Sequence, residues 1–222
     1  MGILEEFAKW PTGNIADALW AMGYQTAIDH EIRPIFTPIN LVGRAMTLKV
    51  ERMKRKGDKD DVSTEAKERS KPGDVVILAC GGYKHGDSVL WGENSMTSCT
   101  MRGAVGAVID GGCRDTSRIR EAKIPLFTKA ISPGGKGGTL FTIDYNVQVV
   151  CGGIRVNPGD IIVGDDDGVC VVPKEVEEEA LKIVKIYGEK DQAVAPALRA
   201  GKSVADAYAI KKGWDKLAGL KK

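Results

Sequence analysis

The sequence predicts an α/β fold with a parallel αβ core, late β-hairpins and a C-terminal helical arm. Three observations carry this. Continuous apolar runs alternate with short helix-like segments between residues 71 and 130. Between 147 and 173, short apolar runs are broken by Asn-Pro-Gly-Asp and Asp-Asp-Gly turns. From Lys174 onward, one long segment begins acidic and turns basic, as a helix dipole favours.

The elements follow in order. "TGNIADALWAM" (12–22) reads as a helix, with Thr12 or Asn14 able to cap it and Gly23 after it. "GRAMTLKV" (43–50) alternates enough for a strand. "MKRKGDKDDVSTEAKERS" (53–70) is a charged loop followed by a solvated helix capped near Ser63. "KPGDVVILACGG" (71–82) is a turn feeding a buried strand, and 94–102 is a helix. "GAVIDGG" (106–112) is a second buried strand, "DTSRIREAK" (115–123) a short helix and "IPLFTKA" (124–130) a third strand. After the glycine-rich "SPGGKGG" (132–138), the hairpin region runs to Pro173. A long helix then starts near Lys174, and Pro196 is expected to bend or break it. The basic end, "AYAIKKGWDKLAGLKK" (207–222), reads as a solvated or subunit-packing arm.

Length and composition fit one domain over 1–222, with 174–222 as an arm on the core or on a neighbouring subunit. The chain is 43% hydrophobic and 28% charged, enough to bury a core and unlike a disordered chain. A net charge of +2 gives no electrostatic case for nucleic acid or a membrane surface as partner. "MGILEEFAKW" lacks a secretory pattern, and no apolar run is long enough to span a bilayer. Cys80, Cys99, Cys113, Cys151 and Cys170 form no Cys-x-x-Cys pair and sit in apolar contexts, so they read as reduced, buried small hydrophobes in a cytoplasmic protein. His30 and His85 are too scattered for a zinc site.

Sites in parallel sheets form at the carboxyl ends of strands, which singles out two places. Arg114 and Asp115 directly follow the strand at 106–112, and Gly92-Glu93 fall where a loop turns into the next helix upstream, so the two spots can share one cleft. Amides around Gly92, Glu93, Asn94 and Ser95 can hold an anion at that helix start. Each residue also has a plain structural role. Glu93 can complement its own helix dipole, Asp115 can be an N-cap and Arg114 can form a structural ion pair. The triplet Asp165-Asp166-Asp167 before Gly168 reads more simply as a hairpin turn than as a metal site. "SPGGKGG" is no Walker loop, and "ACGGYKHG" (79–86) lacks dinucleotide spacing.

"TGNIADAL", "GDVVIL", "LWGE", "GAVIDGGCRD", "IPLF", "SPGG" and "GGIRVNPGDIIVGDDDGVCVVP" occur in an order that resembles the RraA-like family, from about residue 10 to about residue 210. That family includes the regulator of ribonuclease activity A and the class II 4-hydroxy-4-methyl-2-oxoglutarate/4-carboxy-4-hydroxy-2-oxoadipate aldolases. The resemblance implies a swivelling β/β/α sandwich assembled as a trimer, or a dimer of trimers, with sites between subunits. It implies a divalent metal, Mg²⁺ or Mn²⁺, held directly by Asp115 and through water by Glu93. A neighbouring subunit's C-terminal helix would add a further acidic residue, which falls at Glu189. Arg114 and the amides at 92–95 would bind a small 2-oxo acid. The aldolases have Asp at the first acidic place, where this chain has Glu93. The expected activity is retro-aldol release of pyruvate, with oxaloacetate decarboxylation alongside; the alternative is a regulator that binds a ribonuclease. Nothing in the sequence forms an S-adenosylmethionine site, although some members carry a methyltransferase label.

Overall fold

The computed structural model describes residues 2–52, 61–81, 89–134 and 140–213. Helices α1 (Ile3–Phe7) and α2 (Thr12–Ala21) lead into β1 (Arg33–Pro34) and the long β2 (Leu41–Arg52). Then α3 (Ser63–Glu68), β3 (Asp74–Ala79), α4 (Glu93–Thr100), β4 (Gly106–Cys113), α5 (Thr116–Glu121) and β5 (Leu126–Ile131) alternate. Strands β6 (Leu140–Tyr145), β7 (Val149–Cys151), β8 (Ile154–Val156), β9 (Ile161–Asp165) and β10 (Gly168–Val172) follow. A 3₁₀ turn (Lys174–Val176) enters α6 (Glu177–Arg199), and α7 (Val204–Ala209) comes last among the described elements.

The main sheet runs β1-β5-β4-β3-β2-β9-β10, and its central strands β2 to β5 are mutually parallel. Opposite β3, the other edge of β2 is shared by β9 at Leu41–Arg44 and β6 at Leu48–Arg52, with a register shift between Lys49 and Val50. Side chains alternate across this sheet, as the pleat requires. On one face Val76, Leu78, Ile109 and Leu126 pack with Met96 and Cys99 of α4 and Ile119 of α5. On the other, Val75, Ile77, Val108 and Phe127 are enclosed by Val149 and Cys151 of β7, Val156 of β8, and Val169 and Val171 of β10. The sheet is therefore nearly barrel-like. Outside β9 and β10, helices α1, α2 and α6 close a third core around Phe7, Ile15, Leu19, Ile183 and Tyr187. Every residue of β4 is buried, which is why it reads as an unbroken apolar run.

Several local expectations are corrected. Helix α2 is capped by neither Thr12 nor Asn14: Pro11 holds the N-cap position. The backbone N–H and Oγ1 of Thr12 both donate to Asp165, at 2.8 and 2.7 Å. The cap thus comes from the acidic triplet, across the fold. Likewise Ser63 is the first residue of α3, and its N–H donates to Asp61 (3.0 Å). Pro196 does not break α6, which continues to Arg199 with the Ala200 N–H donating to the Pro196 carbonyl (2.9 Å). The chain leaves at Gly201, whose φ is +83°. Strands β1 and β6 and helix α1 were not foreseen. Residues 53–60 of the charged loop, 82–86 of "ACGGYKHG" (with His85), 135–138 of "SPGGKGG" and 214–222 of the basic end lie outside the described residues.

Candidate active site

The chain leaves the sheet after Ala79 and returns at Leu90 and Trp91 to lie along the carboxyl end of β4. The Leu90 N–H donates to the Gly112 carbonyl (3.3 Å), Trp91 pairs with Cys113 as a parallel bridge, and the Arg114 N–H donates to the Trp91 carbonyl (3.0 Å). This brings Gly92 and Glu93 beside Arg114 and Asp115. Between them opens a cavity of about 220 Å³, lined by Val89, Leu90, Trp91, Gly92, Asn94, Ser95, Arg114 and Asp115. All the expected site residues except Glu93 and Glu189 line it.

Asp115 stands at the N-cap position of α5, as its structural reading expects, but its side chain makes no cap hydrogen bond. Its backbone is left-handed, with φ 56° and ψ 28°. A non-glycine residue pays on the order of 1 kcal/mol for that conformation, and such residues concentrate at functional sites. The carboxylate instead turns towards Arg114 (Oδ2 to Nε 3.4 Å) and over Gly92. A Cβ at residue 92 would stand 2.7 Å from Asp115 Oδ2 and 3.2 Å from Arg114 Cγ. Gly92 has an extended φ of −157°, so glycine is required there for space and not for backbone freedom. The Arg114 and Asp115 side chains are 47% and 45% exposed, open to a ligand.

Gly92 is also the N-cap of α4 and has no side chain with which to cap it. The first intrahelical bond runs from the Met96 N–H to the Gly92 carbonyl (3.0 Å). The N–H groups of Glu93, Asn94 and Ser95 therefore have no acceptor inside the helix, and they lie at its positive dipole end. The Glu93 carboxylate lies outside the cavity lining and accepts from Arg118 Nη1 at 3.1 Å, tying α4 to α5. Sequence reasoning missed Arg118; the signal was its place one turn beyond Asp115 in "DTSRIREAK".

Neighbouring reactive groups are committed elsewhere. Burial, and then the charge of Asp115, push the Cys113 thiol up to about 12, and its Sγ donates to the Arg114 carbonyl (3.4 Å), so it is no thiolate nucleophile. All five cysteines are free and buried. Asp110 is buried and accepts the Gly152 N–H (3.1 Å), anchoring the β7–β8 turn. Lys129 is raised above its ordinary range by its contact with Glu31 (2.9 Å), which opposes a Schiff-base role. The acidic triplet is a hairpin turn, as expected. Asp165 accepts from Thr12 and the Asp167 N–H, and Asp166 from the Ile39 N–H (2.8 Å). Glu189 is exposed on α6, which packs on α1 and α2.

Among the described residues no group of three or more His, Cys, Asp or Glu side chains could enclose a metal. The site offers one cavity-lining carboxylate, Asp115, half-exposed beside Arg114, with Glu93 nearby. Such a sparse oxygen set fits Mg²⁺ or Mn²⁺, cations that keep much of their water, and not a closed zinc centre. Among the described residues no helix is long and apolar enough to cross a membrane.

A family profile described as "RraA-like: Aldolase/RraA" matches residues 12–171. A protein of Halalkalibacterium halodurans named "Putative 4-hydroxy-4-methyl-2-oxoglutarate aldolase" is 32% identical over 190 residues, covering 86% of this chain and 85% of its own length. A Thermus thermophilus protein named "4-hydroxy-4-methyl-2-oxoglutarate aldolase" is 31% identical over 107 residues, covering 46% of this chain and 60% of its own. The crystal structure of Streptomyces coelicolor RraAS2, described as an unusual member of the RNase ES inhibitor RraA protein family, superposes with a TM-score of 0.76 at 24% identity, over 86% of this chain and 93% of that one. At that identity the likeness concerns the fold alone. With the family profile spanning most of the chain and the fold shared, the protein belongs to the RraA-like family.

Proposed function

We propose that the protein is a divalent-metal-dependent lyase that cleaves a 4-hydroxy-2-oxo acid by retro-aldol reaction to pyruvate and a second oxo acid, with oxaloacetate decarboxylation as a side activity. The observation that carries this is Asp115, held in a left-handed conformation with its carboxylate withheld from capping and turned with Arg114 into a cavity. The aldolase names of relatives support the same reading.

A bound Mg²⁺ or Mn²⁺ would supply Lewis-acid stabilisation of the charge that develops on the substrate's keto oxygen. Asp115 would be its direct ligand; Glu93, and Glu189 from a neighbouring copy in a trimer or hexamer, would act through water. Arg114 holds the keto and carboxylate oxygens of the substrate, and the amides of Glu93, Asn94 and Ser95 take the carboxylate. Glu93 orients the water that removes the proton of the 4-hydroxyl. As that hydroxyl becomes a carbonyl, the C3–C4 bond breaks and its electron pair enters the pyruvate enolate, which the Arg114 guanidinium stabilises. The proton taken from the hydroxyl, returned to C3 through the same water, completes pyruvate. Loss of C4 as CO₂ from oxaloacetate leaves the same enolate, so the two activities share one site.

The test is pyruvate formation from 4-hydroxy-4-methyl-2-oxoglutarate, and separately from oxaloacetate, with Mg²⁺ present. Release that disappears with EDTA, Arg114→Ala and Asp115→Ala supports the lyase. The joint description of the matching family, Aldolase/RraA, keeps one other reading, a regulator that binds a ribonuclease. It predicts tight capture of a ribonuclease and no turnover of either acid.

A further inference from the structure

A second guanidinium lies beside the cavity, outside its lining. Arg118 is the third residue of α5, the helix that begins directly after Asp115. Its Nη1 donates to Glu93 Oε2 at 3.1 Å, and Glu93 stands between the cavity-lining Gly92 and Asn94. That contact places the head of Arg118 next to the helix end that flanks the cavity. The side chain is 69% exposed, and among the described residues it has no other partner, so most of its donors point into solvent. Arg114, by contrast, lines the cavity itself beside Asp115. One guanidinium thus lines the cavity and the other lies just outside it, next to the helix end that flanks it. At about 220 Å³ the cavity falls below the ~300–1,000 Å³ typical of sites for drug-sized ligands, and it suits a short acid.

We infer that Arg118 is the specificity-determining cation of this site: it receives the far carboxylate of a dicarboxylic 2-oxo acid whose near end is held by Arg114 and the α4 amides. The inference rests on the lyase reading for which end of the acid lies deep. Glu93 keeps the guanidinium ordered beside the cavity before a ligand arrives, which lowers the entropy lost on binding. A planar guanidinium accepts a second carboxylate on its open edge without releasing the first. A monocarboxylic 2-oxo acid of the same length has no group to place there, so Arg118 discriminates by what the ligand's distal end carries.

The experiment compares 2-oxoglutarate with 2-oxopentanoate, acids of equal chain length with and without the distal carboxylate. Neither has a 4-hydroxyl to cleave. Affinities are measured by calorimetry with Mg²⁺ present throughout. Wild-type protein is expected to prefer the dicarboxylate by roughly fivefold, the upper end for an ion pair with a solvent-exposed guanidinium. Arg118→Ala should bring the ratio to within about twofold of unity, and Arg118→Lys, which keeps the charge but not the fork, should retain part of it. A preference that survives Arg118→Ala, or a wild-type protein that prefers neither acid or binds neither, overturns the inference. Turnover is scored separately. A preference lost with Arg118→Ala in a protein that releases no pyruvate from any acid sinks the lyase reading and leaves this one standing. Pyruvate release with an unchanged ratio does the reverse.

Discussion

Gly92→Ala separates the site from the scaffold. The added methyl would stand 2.7 Å from Asp115 Oδ2, where ordinary contact begins at 3.4 Å, so one of the two must move by roughly 0.7 Å. The backbone of Gly92 is extended at φ −157°, which alanine adopts freely. Loss of a glycine N-cap and gain from a stiffer unfolded chain oppose one another, and the net change in stability should stay within about 1 kcal/mol. Asp115 yields, because its carboxylate is the half-exposed end of a short side chain. A shift of this size in a positioned group costs on the order of 10²-fold in rate, or about 2.7 kcal/mol of transition-state stabilisation. Thermal unfolding followed by circular dichroism and kcat/KM for pyruvate release, measured on one preparation, read the two quantities. Unchanged activity would refute the role given to the Asp115 carboxylate. A fall in stability of several kcal/mol would show that Gly92 serves the fold instead.

Asp115→Gly should abolish pyruvate release yet raise stability by up to about 1 kcal/mol, since glycine takes φ 56° without strain; urea denaturation beside the activity assay tests both halves. Asp165→Ala should destabilise by about 1–2 kcal/mol by uncapping α2 and loosening the β9–β10 turn, with KM unmoved; denaturant midpoints and steady-state kinetics decide. Stability should also fall in alkali. The thiols of Cys113 and Cys170 are pushed up to about 12 by burial, against about 8.5 in the unfolded chain, so the folded state keeps protons that the unfolded state releases. Their contribution is fully present below about pH 8.5 and declines between about 8.5 and 12, each thiol adding a slope of up to about 1.4 kcal/mol per pH unit. Cys113→Ala should remove one thiol's share of that slope in unfolding curves taken across this window.

The parallel core was legible because β3, β4 and β5 are buried on both faces, and burial on both faces leaves a continuous apolar run between turn residues. Strand β6 was missed because only alternate residues of "LFTIDY" are buried, a weak pattern. The capping of α2 by Asp165 could not be read, because its partners lie 153 residues apart and the nearby Thr12 and Asn14 offered a local answer. Gly92-Glu93 and Arg114-Asp115 were legible as two places able to share one cleft, since both lie where strands end. The Trp91–Cys113 pairing that brings Gly92 to Arg114 and Asp115, and leaves the Glu93 carboxylate outside the cavity lining, is a long-range contact with no local signature. Asp115 looked equally like a cap and a ligand. Only its backbone dihedrals and the direction of its carboxylate separate the two, and neither is encoded within a window of neighbours. Glu93 looked like a dipole partner and proves also to be the anchor of Arg118.

The enolate is the centre of the account, and it can be observed without knowing the natural substrate. Pyruvate is incubated in D₂O with the protein and Mg²⁺, and its methyl protons are followed by NMR. If Asp115, Arg114 and the α4 amides stabilise the enolate, the methyl signal decays as deuterium enters C3, and the decay stops with EDTA, Arg114→Ala or Asp115→Ala. A signal that persists as it does without protein contradicts the account.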